Sequence, residues 1–327
     1  MLSPPVEPML ARSSAEVPAP AALSGGSWYE PKFDGYRCLL FVVGGAALVQ
    51  SRRGHDITAA FPDVAAAAVA QLPPGSVVDG ELVVWAGSGF DFGALQRRLT
   101  GGRSVGELVR QQPASVMLFD VLAVAGRDVR RHPLWERRRL LEAIAVDTAP
   151  PLQLVPYTTD VDQARTWVRD YAAARVGIEG LVVKGVGTSY ESGKRGWVKY
   201  RIRDTVEAVV GAVTGSLEHP ESLVLGYYDT VGDLVVAGAT TPLTRRQQDQ
   251  VAGHLRRSAG GHPWPEWIGS GRLGHWGGPP RAVTRVVPVL VVEISADTAV
   301  TAGAWRHVTR FVRVRPDLNA SDVPAPS

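Results

Sequence analysis

Short apolar runs alternate with amphipathic stretches through the first two hundred residues, and the texture then changes. The runs at 48–51, 77–85, 116–121 and 180–184 are apolar and partly β-branched, so they predict strands. The segments 59–72, 134–144 and 161–174 carry the longer apolar spacing of helices, the last with Asp160 as its N-cap. Past Arg203 the pattern becomes mostly strand: 206–214, 223–229, 234–240, 282–295 and 307–315, with one helix expected at 244–257. The stretch 260–280 is rich in Gly, Pro and Trp and reads as a loop.

Many short strands around a single helix suit a small β-barrel such as an OB-fold. The pattern divides the chain into 1–203 and 204–327. Residues 1–27, rich in Pro and Ala, form an extended lead-in, and the tail 321–327 is expected to fray. The chain has 327 residues, 45% of them hydrophobic and 20% charged, enough apolar content for two packed cores. Net charge is +3, which is compatible with a polyanionic partner. The one cysteine, Cys38, excludes an internal disulfide and a cysteine zinc site, and opens an apolar strand as a small core residue. No apolar stretch reaches the ~18 residues of a membrane span, and the first residues lack the apolar core of a secretory signal. A cytoplasmic location without membrane partners is expected.

The chemistry gathers in six segments. Glu30-Pro31-Lys32-Phe33-Asp34-Gly35-Tyr36-Arg37 sets a lysine among acids, a glycine and an arginine. A lysine amine can attack phosphorus once it has lost its proton, and nearby cations favour that neutral form. Ser51-Arg52-Arg53-Gly54 follows a strand, with arginine forks that suit phosphate oxygens or simply make a solvated turn. Asp79-Gly80-Glu81 lies inside an apolar run, where acids need partners: a ribose hydroxyl, a metal or a buried salt bridge. Phe119 ends a strand, either stacking on a purine or serving the core. Glu179 to Lys184 puts an acid and a base at the ends of one strand, and Trp197-Val198-Lys199-Tyr200-Arg201 aligns alternate cations on one face.

In this order the segments resemble the motif set of ATP-dependent DNA ligases. The likeness is closest to the short bacterial ligase C type and to the ligase domain of bacterial ligase D. The stretches Glu7 to Leu10, Asp91 to Leu99 and Leu290 to Glu293 share it. A chance assembly of six ordered segments is far rarer than one short motif. The resemblance implies an α+β fold. A nucleotidyltransferase (adenylation) domain with antiparallel sheets and flanking helices would be followed by a C-terminal OB-fold β-barrel. It implies three steps: Lys32 takes AMP from ATP, AMP passes to the 5′-phosphate of a nick, and the 3′-hydroxyl displaces it. Glu30 would meet the adenine amino group, Arg37 and Glu81 the ribose, and Phe119 the adenine face. Lys184 and Lys199 would face the AMP phosphate, Arg52 and Arg315 phosphate groups, and Glu179 with Glu81 a divalent Mg²⁺ or Mn²⁺. The implied partner is nicked double-stranded DNA. The implied enzyme is a monomer in repair, replication or recombination, working with repair proteins, with a hinge near Arg203 and Asp204. Arg97, Arg98, Arg103, Arg130 and Arg131 would line a salt-sensitive DNA path, or form a solvated basic surface.

Two positions depart from the family pattern. Arg201 stands where lysine is usual, and Leu318 replaces the last lysine of the C-terminal motif in Arg315-Pro316-Asp317-Leu318. Arg201 keeps the charge but changes its shape, and activity is expected to survive Leu318. Two rivals stay open on the residues alone. One is an RNA ligase or a GTP-using capping enzyme, and the other is a DNA-end-binding module without turnover.

Overall fold

Alternation along the strand Ser27–Phe33 divides its side chains between two surroundings: Trp28, Glu30 and Lys32 on one face, Tyr29 and Pro31 on the other. The computed structural model describes residues 2–87, 89–174, 176–273, 278–297 and 300–326, with the side chains of Arg103, Ala172, Arg203 and Asp204 outside that description. The DNA-path reading of Arg103 and the side chains of the hinge reading therefore lie outside the described residues. The chain divides into two compact units, Met1–Arg201 and Ile202–Ser327.

In the first unit, Ser27–Phe33 pairs antiparallel with Ile178–Gly185. That strand pairs antiparallel with Trp197–Arg201, which pairs in parallel with Ala11–Ser14. The face bearing Tyr29, Leu181, Val183 and Val198 buries against Val161, Ala164, Trp167 and Val168 of the helix Val161–Ala174. Asp160 caps that helix, its Oδ1 accepting from the Asp162 N–H at 2.8 Å.

A second sheet orders Ala46–Ser51, Tyr36–Val43, Val77–Ala86 and Ala114–Val124 side by side. One of its faces carries Cys38, Leu40, Val78, Leu82 and Leu118 and packs on the helices Pro62–Gln71, Phe92–Thr100 and Leu134–Ile144. Its other face carries Leu39, Phe41 and Leu122, which cluster with Val182 and Trp197 of the first sheet. The unit is thus layered helix, sheet, sheet, helix, and the polar segments meet between the sheets.

Several boundaries differ from the sequence reading. The helix expected from residue 59 starts at Pro62, whose fixed φ suits a first helical position, after the single turn Thr58–Ala60. The lead-in is part of the fold. Ala11–Ser14 is a strand, and the Gln50 amide bonds both the Val6 N–H (2.8 Å) and the Val6 carbonyl (2.7 Å). The helices Phe92–Thr100 and Val105–Gln111 were not anticipated, because Gly93, Gly101, Gly102 and Gly106 dilute their periodicity. Among the described residues no helix is long and apolar enough to cross a membrane.

The second unit orders Leu234–Ala239, Pro220–Tyr228, Arg203–Gly215, Val291–Asp297 and Arg310–Val314 as antiparallel neighbours. A parallel bridge between Thr240 and Thr309 joins the two outer strands. The Thr241 N–H donates to the Thr309 carbonyl at 2.8 Å, and the Thr309 N–H to the Ala239 carbonyl at 2.9 Å, so the sheet closes on itself. Val210, Leu223, Leu225, Val292, Ile294 and Phe311 fill a core of this barrel. The helix expected at 244–257 is only Arg245–Ala252, started by a Thr244–Gln247 capping box and stopped at Gly253. The strand expected at 282–295 is broken into Arg281–Ala282, Thr284–Arg285 and Val291–Asp297, since Pro288 has no N–H to give a ladder. Within 260–280, Trp267–Ile268 pairs with Arg281–Ala282, and 274–277 lie outside the described residues. Leu318 packs on the apolar cluster of Val209, Val224, Trp264 and Val323, which gives a physical account of an apolar residue there.

Candidate active site

Register places the charges between the two sheets. Lys32 stands opposite Gly180, Glu30 opposite Val182 and Trp28 opposite Lys184, and on the next strand Val182 opposes Lys199 and Gly180 opposes Arg201. Directly paired residues share a face, so Glu30, Lys32, Lys184, Lys199 and Arg201 all point into the same cleft. Glu179 would point away under strict alternation. A bulge between Ile178 and Gly180 breaks the alternation, and Gly180 adopts φ +145° there.

The Glu179 carboxylate then lies 2.9 Å from Lys32 Nζ and 3.2 Å from Arg201 Nε. Burial raises the Glu179 carboxyl, but the Lys32 and Arg201 cations outweigh it and hold it below the usual carboxylate range. Lys199 is half-buried. Desolvation lowers its amine first, followed by the charges of Arg201, Lys32 and Arg52, so these four cations occupy one neighbourhood. Arg52 itself is exposed, on the turn after Ala46–Ser51. Glu81 has its carboxyl pushed up to about 8. Burial is the main cause, with the charges of Glu179 and Asp79 adding to it and those of Lys32 and Arg37 opposing it.

Lys184 lies elsewhere in the cleft. Its amine is 2.7 Å from Glu30 Oε2, donates to the Phe119 carbonyl at 3.2 Å, and sits 4.4 and 4.5 Å from the Phe119 and Trp197 ring centres. Both charged groups are buried. The register sets Lys184 four residues, about 13 Å, along the strand from Gly180, which faces Lys32. Val182, opposite Lys199, lies midway between Lys184 and Gly180 on that strand. Phe119 is half-buried, edge-on to Trp197, and packs with Val182 on the same apolar cluster. Glu30 Oε1 is buried and accepts no hydrogen bond from any described residue.

Arg37 is held by protein groups. Its Nε and Nη2 grip both oxygens of Asp79, at 2.9 and 2.6 Å, and Nη1 donates to the Met9 carbonyl. For Asp79, of the three partners weighed from sequence, the buried salt bridge is the one found. Arg315 is likewise engaged, with Asp317 at 2.9 Å and Glu207 at 2.7 Å, both in the second unit. Of the arginines proposed for a DNA path, Arg98 is buried against Asp63, Arg97 pairs with Asp91 and Arg130 with Asp128, while Arg131 is exposed. Sequence reading missed Tyr190 and Val182, and gave Trp197 no role of its own. Trp197 and Val182 lay inside segments already singled out, and Tyr190 lay outside them.

The raised Glu81 carboxyl has a measurable consequence. The folded chain keeps this proton where the unfolded chain loses it, so the folded state binds more protons from about pH 5 to about pH 8. Stability therefore falls as pH rises through that window. We expect Glu81→Gln to flatten the decline in Tm of the metal-free protein between those limits. Identical Tm–pH curves for variant and wild type would refute this.

A family model described as the ATP dependent DNA ligase domain matches residues 8–201. The chain is 34% identical to DNA ligase C2 of Mycolicibacterium smegmatis, covering 97% of this chain and 92% of that protein. It is 32% identical to DNA ligase C of Mycobacterium tuberculosis, over 96% of this chain and 91% of the relative. A solved structure of mycobacterial DNA ligase D complexed with ATP and MES matches at 27% identity with a TM-score of 0.51, covering 98% of both chains. Together with the cleft geometry, these matches establish that the chain belongs to the ATP-dependent DNA ligase family and is an ATP-dependent DNA ligase.

Proposed function

We propose that Lys32 is the nucleophile of a three-step nick-sealing reaction. The observation that carries this reading is the Lys32–Glu179 contact at 2.9 Å, with Arg201 on the same carboxylate and Lys199 on the same sheet face. In the first step the neutral Lys32 amine attacks the α-phosphorus of ATP. A P–N bond forms, the bridge to the β-phosphate breaks, pyrophosphate leaves and the amine gives up a proton. Lys199 and Arg201 hold the negative oxygens, and Glu179 orients the amine. In the second step a 5′-phosphate oxygen of the nick attacks the AMP phosphorus and Lys32 departs, regaining a proton. In the third, the 3′-hydroxyl attacks the 5′-phosphorus and gives up its proton to solvent, AMP leaves and the backbone is continuous. Arg52, exposed next to this cluster, supports the reading of a contact to the nick phosphate.

A divalent Mg²⁺ or Mn²⁺ belongs to the proposal. Glu81 and Glu179 are hard oxygen donors, and a bound cation would offset the burial and neighbouring negative charge that hold the proton on Glu81. Among the described residues no three Asp, Glu, His or Cys side chains converge. This matches an ion that keeps waters and takes further ligands from substrate phosphates. When bound, the ion supplies charge neutralisation at the triphosphate. In the second unit, five antiparallel neighbours closed by one parallel bridge, with a helix between the third and fourth strands, support the OB-fold reading. The proposal places the enzyme in the cytoplasm as a monomer serving DNA repair alongside repair proteins.

The base is read at the Glu30–Lys184 end. An adenine amino group would satisfy the open Glu30 Oε1, whereas guanine would set its O6 acceptor against it. We expect ATP to be preferred over GTP by about 100-fold or more in self-labelling. Equal labelling by the two would favour the capping-enzyme rival. The reading as a whole is tested by incubating the protein with α-labelled ATP and divalent metal, then chasing the label onto a nicked duplex. A protein band that chases into sealed DNA supports it. No band after pyrophosphate has stripped any bound AMP would sink it.

A further inference from the structure

Tyr190 lies in the loop that joins Ile178–Gly185 to Trp197–Arg201, and so connects the strand of Glu179 to the strand of Lys199. Its ring is buried, edge-on to Trp197 at 5.8 Å between centres, with the Arg137 guanidinium 5.7 Å from its ring centre. The hydroxyl donates to Asp79 Oδ2 at 2.7 Å, accepts from the Met9 N–H at 3.0 Å, and faces Arg37 Nη2 at 3.3 Å. Burial, then the Asp79 charge, push the phenol well up, so it keeps its proton and donates at neutral pH.

Three separate stretches of chain thus meet on one oxygen. The first is the N-terminal segment, which is also tied in by Arg37 to the Met9 carbonyl and by the Trp197 N–H to the Leu10 carbonyl at 3.2 Å. The second is the strand pair in which Arg37 stands opposite Glu81 and Leu39 opposite Asp79, so that Asp79 and Glu81 share a face two residues apart. The third is the loop between the two cation-bearing strands. Asp79 is fully buried with both oxygens on Arg37, and the phenol is the additional bond that fixes this pair against the first sheet.

We infer that Tyr190 is a positioning residue for adenylyl transfer: its hydroxyl holds the Arg37–Asp79 pair, and with it Glu81, at a fixed distance from Lys32 across the cleft. The inference rests on Lys32 being the nucleophile. The Tyr190 hydroxyl bonds Met9, Arg37 and Asp79 and none of Glu30, Phe119, Lys184 or the Lys32 amine, so its loss changes placement and leaves those base contacts in place.

Tyr190→Phe tests the hydroxyl alone, because the ring keeps its packing on Trp197 and near Arg137. In single-turnover labelling across a series of ATP concentrations, we expect the maximal rate of label transfer to Lys32 to fall about 10- to 30-fold. The half-saturating ATP concentration should change less than about 3-fold, because the base contacts persist. Should this variant not fold, Asp79→Asn, close in shape, weakens both this bond and the Arg37 pair it holds, and must lower the maximal rate at least as far with the same small change in half-saturation. A maximal rate equal to wild type overturns the inference. So does a rate loss matched by an equal loss of ATP affinity, which would mark general loosening of the cleft. Wild type and Lys32→Ala run in parallel: a wild type without a band defeats the nucleophile reading, whereas a normal wild type with an unaffected Tyr190→Phe defeats this inference alone.

Discussion

Lys32→Ala is expected to leave no labelled protein band from α-labelled ATP and no sealed nick with ATP supplied. An alanine has no group able to form the P–N bond, so the expected loss in the first step is at least about 10⁴-fold. Lys32→Arg should be equally inert, because a guanidinium does not deprotonate in a protein and is a poor nucleophile. The decisive control is a nick already carrying AMP on its 5′-phosphate. Sealing that substrate needs no attack by Lys32, so the variant should still join it, more slowly because one cation of the cluster is gone. Joining of the pre-adenylated nick with no self-labelling separates a lost nucleophile from a lost fold. A labelled band of wild-type intensity from Lys32→Ala would mean that another residue carries the AMP.

Gly180→Ala is expected to damage stability and chemistry together. The backbone at Gly180 has φ +145°, and a Cβ there would fall 2.1 Å from the Tyr200 carbonyl oxygen and 2.9 Å from Arg201 Cα. Both are backbone atoms of the neighbouring strand, so relief requires moving that strand. A strained backbone of this kind plus a main-chain clash costs about 3 kcal/mol or more, which in a chain of this size lowers Tm by roughly 6–12 °C. The displaced strand is the one that carries Lys199 and Arg201, and the bulge that turns Glu179 toward Lys32 ends at Gly180. Self-labelling at a temperature where the variant is still folded should therefore fall at least about 10-fold. A Gly180→Ala protein with wild-type Tm and labelling rate would show that the bulge does not position Glu179.

Much of the candidate site was legible because it is local. Lys32 and Glu30 lie two apart on one strand, as do Lys199 and Arg201, so alternation alone aims each pair into one cleft. Asp160 could be read as an N-cap because a cap bonds within its own first turn. Glu179 was singled out without its geometry, since alternation would have turned it away from Lys32. The helix Phe92–Thr100 was missed although its cap, Asp91, is ordinary, because glycine-rich stretches surround it and weaken the periodic signal. In the second unit the helix 244–257 was over-extended by five residues of polar sequence that leave the helix at Gly253.

The order of chemical groups, the face that regular strand residues take relative to their neighbours and the family they belong to all follow from the chain alone. Tertiary structure alone decided which charge answers which. Arg37 meets Asp79 across 42 residues, Tyr190 meets Asp79 across 111, and Lys184 is drawn to Glu30 while Lys199 stays with Lys32 and Arg201. Strand register and one bulge set those partnerships. A shift of a single residue in pairing sends a side chain to the other face, and a buried charge must then find whatever partner the register brings within reach.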